Sequence, residues 1–197
     1  MSKKLALLVL VVVLAACSGS TPVTHYYVID PVNSEAIADL DGRSVQILDL
    51  KLPQYLERFQ IARRQSGNQL TFASNQQWSE NLRKNLYRTM TRNLSDLLGT
   101  ADVGSAISRS LSAPDFLVRV SIEAFEQGAD GRVLIAARYQ ISNAAGEVLT
   151  TARFEGSSSR DSGDNYAEMV AELQQLFGDL CRDIAGAIKQ LDEQNAD

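Results

Sequence analysis

The stretch Lys51-Leu52-Pro53-Gln54-Tyr55-Leu56-Glu57-Arg58-Phe59-Gln60-Ile61-Ala62-Arg63-Arg64 joins two segments that both favour extended structure. Pro53 fixes its own φ angle, lacks an N–H donor and biases Leu52 away from helix. We therefore predict a shaped crossing between two strands that carries Tyr55, Leu56, Glu57 and Arg58. The stretch matches no catalytic motif. It is either a binding loop or a corner that closes a core.

The composition predicts one globular domain. The chain has 197 residues, of which 45% are hydrophobic and 22% are charged, and these values are ordinary for a folded domain. The formal net charge is −5. Nucleic-acid binding depends on basic side chains that neutralise phosphates, so the net charge argues against nucleic acid as a partner.

The first residues have the pattern of a secretory signal. Lys3 and Lys4 precede an apolar run at positions 5–14 that is too short to span a bilayer. The run ends in Leu14-Ala15-Ala16-Cys17, which resembles a bacterial lipobox. We expect residues 1–16 to be removed and Cys17 to carry diacylglycerol and an N-acyl chain such as palmitate. The rival interpretation is an ordinary signal peptide with an incidental cysteine.

Such an anchor would hold the protein close to its membrane. Several acyl chains bind a bilayer firmly where one does not, and Ser18 after the cysteine favours the outer membrane. Residues 17–25 would form the lipidated N-terminus and a tether, with a reach of about 25–30 Å from Ser18. His25 lies in this tether and is expected to be a solvated linker residue. Cys181, in a helical stretch, is expected to be a buried, inert thiol.

The remaining pattern predicts an α+β fold. Turn signals at Ser66-Gly67-Asn68, Asp130-Gly131 and Ala145-Gly146 separate alternating apolar segments, which indicates a mainly antiparallel sheet. Two long amphipathic helices are expected to cover it, in two strand-strand-helix units. One helix would begin near Trp78, whose side chain is expected in the core. We expect a single domain over residues 26–192 and a polar tail at 193–197.

The helices are defined by their apolar stripes. Gly99 is expected to cap the first helix, and Asn165 is among the candidate N-caps of the second. Apolar residues recur every three or four positions in each. The first stripe is Trp78, Leu82, Leu86, Met90, Leu94 and Leu97; the second is Met169, Leu173, Leu176, Leu180, Ile184, Ile188 and Leu191, with Val170 and Phe177.

Four stretches also resemble a known lipoprotein family. They are Tyr26-Tyr27-Val28-Ile29, Leu52-Pro53-Gln54-Tyr55-Leu56-Glu57-Arg58, Trp78-Ser79-Glu80-Asn81-Leu82 and Phe125-Glu126. Together with the lipobox they are similar to the ABC-type transport auxiliary lipoproteins, the PqiC/YmbA-like family of paraquat-inducible operons. The family pattern has alanine and proline where this chain has Ser79 and Asn81. The resemblance extends from the lipobox to about Leu191.

The resemblance implies a function without catalysis. Such a lipoprotein would lie on the periplasmic face of the outer membrane and would serve an intermembrane lipid transport system. Its partner would be a mammalian-cell-entry (MCE) protein of the inner membrane, similar to PqiB, whose tube it would dock while supporting envelope integrity. Because MCE assemblies are rings, a ring of copies of this chain is a further expectation. Pro53, Tyr55, Leu56 and Arg58 are the candidate partner or ligand loop.

Two other functions remain as alternatives. A structural or secretion-complex lipoprotein would bind another envelope component. An enzyme is disfavoured because no catalytic motif, metal-ligand set or cofactor motif is present, so no catalytic, metal or cofactor residue is assigned. Glu123 and Glu126 could form a carboxylate pair of the glycosidase type, but we expect them to be surface acids at a strand end.

Overall fold

The computed structural model describes residues 22–40, 42–105 and 113–196. The predicted signal segment, the lipobox and Cys17 lie outside the described residues. Within them the chain forms eight strands and two α-helices. The elements are β1 (His25–Tyr27), β2 (Val45–Lys51), β3 (Gln60–Ser66), β4 (Gln69–Trp78), α1 (Leu82–Leu98), β5 (Val103–Ser105), β6 (Phe116–Gln127), β7 (Arg132–Ser142), β8 (Val148–Asp161) and α2 (Tyr166–Ala196).

The predicted hairpins are confirmed. β3 and β4 pair antiparallel across Gly67 and Asn68, and β6, β7 and β8 form an antiparallel meander. Each connection is short and carries glycine, which is typical of tight hairpin turns. The α+β class is therefore correct, with both helices packed on one sheet.

The sheet also contains parallel pairs, so it is mixed. β1 runs parallel to β4, and β2 runs parallel to both β5 and β6. β5 is a strand of three residues between α1 and the meander. Each half of the chain thus contributes four strands before its helix.

β6 is the central strand, and the opening stretch runs along one of its edges. β2 pairs with the first half of β6 up to Lys51–Ser121, and β3 returns to the same edge at Arg63–Gln127. Between these contacts the chain leaves the sheet through a short 3-10 turn at Gln54–Glu57. The predicted crossing between two extended segments is therefore confirmed.

The helices begin and end where their caps allow. α1 begins at Leu82, because Asn81 Oδ1 accepts a hydrogen bond from the Lys84 N–H, and it ends at Gly99, whose φ of 63° is left-handed. Trp78 is the last residue of β4, so its predicted place in the helix is wrong, although its side chain is buried. Trp78 and Leu82 are four residues apart, which is a helical spacing, although β4 ends between them and the helix has not yet begun.

α2 covers the meander with its apolar stripe. Asn165 caps its N-terminus by accepting from the Glu168 N–H, and the helix continues to Ala196, through residues assigned to the polar tail. It packs on β6, β7 and β8 and contacts α1, so both halves of the chain share one buried core. In the part of the chain that the structure describes, neither helix is apolar enough over a sufficient length to cross a membrane.

Candidate functional site

The four stretches that carry the family resemblance meet at one place, which we call the motif corner (residues 26–29, 52–58, 78–82 and 125–126). Trp78 is at its centre. Its backbone pairs with Tyr27, its N–H donates to the Phe59 carbonyl at 2.7 Å, and its ring lies 6.1 Å from that of Phe125. The Ser79 N–H donates to the Tyr27 carbonyl at 2.8 Å. Distant segments of the sequence thus form one continuous structure.

The predicted partner loop divides between core and surface. The Leu56 N–H donates to the Pro53 carbonyl at 2.9 Å and closes the 3-10 turn, which directs the Leu56 side chain into the core. Leu52 and Tyr55 are half-buried against that core. Arg58 is exposed, and its guanidinium carbon lies 4.7 Å from the centre of the Phe72 ring. Of the loop residues named from the sequence, Arg58 is the exposed one, Pro53 and Tyr55 are half-buried, and Leu56 is buried.

An ion pair with a buried carboxylate, Arg64–Glu126, lies next to this loop. The Glu126 side chain is fully buried, and its Oε1 atom accepts from Arg64 Nε at 2.7 Å. The prediction that Glu126 is a surface acid is wrong, because β3 returns to the edge of β6 at this point and covers it. Burial and the neighbouring Glu126 carboxylate raise the pKa of Tyr55. These polar groups connect the loop, β3 and β6.

A second polar contact joins the loop to α1. Glu57 Oε2 accepts from Asn81 Nδ2 at 3.1 Å, and Glu57 Oε1 lies 3.4 Å from Arg83 Nε. Asn81 therefore uses its oxygen to cap the helix and its nitrogen to hold the 3-10 turn. The asparagine at this position, where the family pattern has proline, thus has a structural function in this chain.

The carboxylates and thiols of the described residues do not assemble a reactive centre. Glu123 forms ion pairs with Arg138 and Arg153 instead of facing Glu126 as a catalytic pair. No group of three histidine, cysteine or acidic side chains within the described ranges is arranged to hold a metal ion. Burial raises the pKa of the Cys181 thiol to about 12, which agrees with an inert side chain. His25 is exposed at the start of β1.

A polar cleft of about 550 Å³ lies beside the corner, between β3–β4, the β6–β7 turn and the start of α2. Arg63 forms one wall. Its guanidinium donates to Asp164 Oδ1 at 2.8 Å and to the Gly163 carbonyl at 2.7 Å, and it lies over the Tyr166 ring. The hydrogen bonds of Arg63 therefore tie β3 to the N-terminus of α2.

The basic side of α1 is also largely neutralised within the chain. Arg83 pairs with Glu57, Arg88 with Glu80, and Arg92 with Asp96. The Glu80 pair is bidentate, and the hydrogen bonds from Arg88 lower the pKa of Glu80. This arrangement is typical of a solvated helix face and provides little free positive charge for a phosphate ligand.

The sequence did not reveal Arg64 as the partner of Glu126. Arg63 and Arg64 alternate like any strand residues, and the register of β3 against β6 determines that Arg64 meets Glu126. The available signal was Glu126 itself, an acid that directly follows the apolar residues of β6 and belongs to the Phe125-Glu126 stretch. An acid in such a position needs a partner.

The comparisons with known proteins agree with the fold and with the family resemblance. Residues 27–185 match the family model described as the ABC-type transport auxiliary lipoprotein component. Over 180 residues the chain is 26% identical to the intermembrane transport lipoprotein PqiC of Escherichia coli (strain K12), covering 90% of this chain and 93% of that protein. The PqiC of Shigella flexneri gives the same values.

Solved structures share the architecture. An uncharacterised protein matches with a TM-score of 0.70 at 23% identity, covering 85% of this chain and 99% of the other. A protein from Xanthomonas campestris matches with a TM-score of 0.69 at 15% identity, covering 88% and 99%. At these identities the likeness shows the fold alone. The match of the family model over most of the chain shows the family: this protein belongs to the ABC-type transport auxiliary lipoprotein components.

Proposed function

We propose that this chain is an outer-membrane lipoprotein, acylated on Cys17, that serves an intermembrane lipid transport system from the periplasmic side without catalysing a reaction. It docks the distal end of an MCE-domain protein, similar to PqiB, that is anchored in the inner membrane. The observation that carries the proposal is the family match over residues 27–185, which includes every residue of the motif corner except Tyr26. The corner supports a docking function because its buried groups are structural and leave Arg58 exposed.

The loop residues that attach it to the fold differ from the residue that is exposed. Leu56 and Glu57 attach it to the core and to α1, whereas Arg58 projects from it. Because Arg58 is exposed and stacks on Phe72 alone among the described side chains, its replacement by alanine leaves the core intact. A defect in Arg58→Ala would therefore report on the partner and not on folding.

Co-purification tests the partnership. The full chain is expressed with its candidate MCE partner and the complex is captured through the partner. We expect Arg58→Ala to weaken capture several-fold, while Arg132→Ala, an exposed arginine of the β6–β7 turn, does not. Normal capture of wild type by another envelope protein, with none by the MCE protein, would instead support the structural-lipoprotein alternative.

The anchor and the ring have their own tests. A Cys17→Ala chain is expected to leave the membrane fraction, and one that stays there contradicts acylation as the anchor.

A ring of copies is expected from cross-linking in native membranes, in line with the closed symmetry of most homo-oligomers. A strictly monomeric protein in those membranes would refute the ring and leave the docking function open.

A further inference from the structure

The exposed apolar side chains of the described residues are concentrated at one edge of the sheet. Four large apolar side chains are more than half exposed: Val23 (71%), Tyr26 (65%), Phe59 (53%) and Val148 (55%). Val23 and Tyr26 lie in or next to β1, and Phe59 directly precedes β3. Only Val148 lies elsewhere, at the start of β8.

The register brings the backbones at the first three positions close together. Tyr26 and Gln60 are both Cα partners of Gln77, on opposite sides of β4, so their backbones are about 10 Å apart at two strand spacings. The Val23 carbonyl accepts from Asn75 Nδ2 at 3.3 Å, also on β4. We call this the β1 edge (residues 22–27, 58–60 and 74–78).

The β1 edge is also free of acidic residues. The chain has 24 aspartate and glutamate residues, yet none falls in these three ranges; Arg58, the one permanently charged side chain there, lies at the border of the edge and remains available to the proposed partner. Glu57, the adjacent acid, is held by Asn81 and Arg83. An apolar and weakly basic surface can approach anionic headgroups without electrostatic repulsion.

The length of the tether places this edge next to the membrane. Four residues lie between Cys17 and Pro22, where the described chain begins, and the five residue steps from Cys17 to Pro22 span at most about 17 Å when extended. The chain enters the fold at β1, so an acylated Cys17 holds the β1 edge within that distance of the bilayer. Tyrosine, like tryptophan, favours the bilayer interface, and phenylalanine adds apolar surface that can be buried there.

We infer that the β1 edge is a membrane-contact surface, in which Val23, Tyr26 and Phe59 insert among the phospholipid headgroups of the bilayer that holds the anchor. The inference rests on the proposed acylation of Cys17. It assigns the exposed aromatic residues to lipid and orients the sheet so that β8, its opposite edge, points away from the bilayer. The distance from β1 to β8 is about 24 Å across five strand spacings.

Depth-dependent quenching tests this contact in the full, acylated chain. Phe59→Cys, Tyr26→Cys and, as the matched control, Val148→Cys are each labelled with a thiol-reactive nitrobenzoxadiazole probe. Cys181 does not react, because it is fully buried and its thiol is protonated. The proteins are reconstituted in vesicles of phosphatidylcholine and phosphatidylglycerol, with a nitroxide on the phosphatidylcholine headgroup. All three positions are exposed, so urea unfolding should match wild type.

We expect quenching at positions 26 and 59 to exceed that at position 148 several-fold. Equal quenching at all three positions, or none at 26 and 59, overturns the contact surface. Shielding of those probes by an added partner protein, without quenching by lipid, also overturns it and assigns the edge to that protein. Flotation of the same vesicles distinguishes a failed anchor from a wrong orientation. A chain that does not float refutes the acyl anchor and this inference together. A chain that floats but is not quenched refutes the orientation alone.

Discussion

The side chain of Asn85 on α1 forms hydrogen bonds with both backbone polar groups of Ile29, its N–H and its carbonyl. Its Oδ1 atom accepts from the Ile29 N–H at 2.8 Å, and its Nδ2 atom donates to the Ile29 carbonyl at 2.9 Å. Asn85 therefore does for Ile29 what a neighbouring strand would do, just after β1 ends. Thr89 Oγ1 adds a third bond, to the same carbonyl.

We expect Asn85→Ala to lower the free energy of unfolding by about 1–3 kcal/mol, because the Ile29 N–H would be buried without an acceptor. Thr89→Val should cost less, because the Ile29 carbonyl keeps its bond from Asn85. Urea unfolding of both variants measures the difference. A smaller loss in Asn85→Ala than in Thr89→Val would contradict this account.

The Arg64–Glu126 pair should respond asymmetrically to mutation. Glu126 has no exposed side-chain surface, whereas about a third (33%) of the Arg64 side chain is exposed. Arg64→Leu leaves a buried carboxylate unpaired and should cost about 3–5 kcal/mol. Glu126→Gln leaves an arginine that can reach water and should cost clearly less.

The double variant Arg64→Leu/Glu126→Gln checks this reasoning. It should be more stable than Arg64→Leu alone, because the uncompensated charge has been removed. If the second substitution instead adds its own cost, the carboxylate is not the source of the loss.

Two glycines of α2 should respond to alanine in opposite directions. A Cβ atom on Gly178 would lie 2.4 Å from Val32 Cγ2, whereas one on Gly186 would meet nothing within 4 Å. Gly186→Ala should stabilise the protein by about 0.5–1 kcal/mol through helix propensity. Gly178→Ala should destabilise it by about 1–3 kcal/mol through overpacking.

Thermal unfolding measures both, and Val32→Ala provides the rescue. In the Val32→Ala background, Gly178→Ala should lose most of its cost, because the clashing methyl groups are gone. Persistence of the full cost would show that the backbone of α2, and not Val32, limits the space.

Asp115 should make stability depend on pH in the acid range. Burial would raise the pKa of Asp115, but hydrogen bonds from the Ser44 N–H (2.8 Å) and hydroxyl (3.0 Å) and from Arg43 lower it below its ordinary value. A lowered folded-state pKa contributes stability above the unfolded value of about 4, and that contribution is lost as the pH falls through the folded value.

The wild type should therefore exceed Asp115→Asn in stability at pH 7 and pH 5, and the gap should narrow below about pH 4. Urea unfolding over that range measures it, with Asp179→Asn, at an exposed position of α2, as the control for loss of a charge. A gap that stays constant down to pH 3 would contradict the assignment.

The local parts of the fold were predictable, and the long-range pairings were not. Turn residues such as Asn68 and Gly131 define hairpins within a few positions, so β3–β4 and the meander follow from alternation and turn chemistry. The pairing of Val45 with Phe116 has no local signal, because a parallel pair carries no connecting turn. β5 is too short for a periodic pattern.

The same limit applies to the site. The sequence indicated that residues 52–58 form a crossing between strands and that Trp78 lies in the core, since these depend on residue type and spacing. It could not indicate that Arg64 is the partner of Glu126, because this contact depends on the return of β3 to the edge of β6. The interface function of Tyr55 and Arg58 stays a prediction.

The position of β6 also determines how this protein can reach its folded state. β6 pairs with β2, β3 and β7, so it joins the strands of both halves of the chain. During synthesis from the N-terminus, β2 is made early. β2 and β3 are joined only through β6, so they cannot be joined until synthesis has reached Gln127, the last residue of β6. Contacts so distant in sequence form slowly. The nascent domain therefore stays open and vulnerable to aggregation until more than half of it exists, and neither half should fold when produced alone.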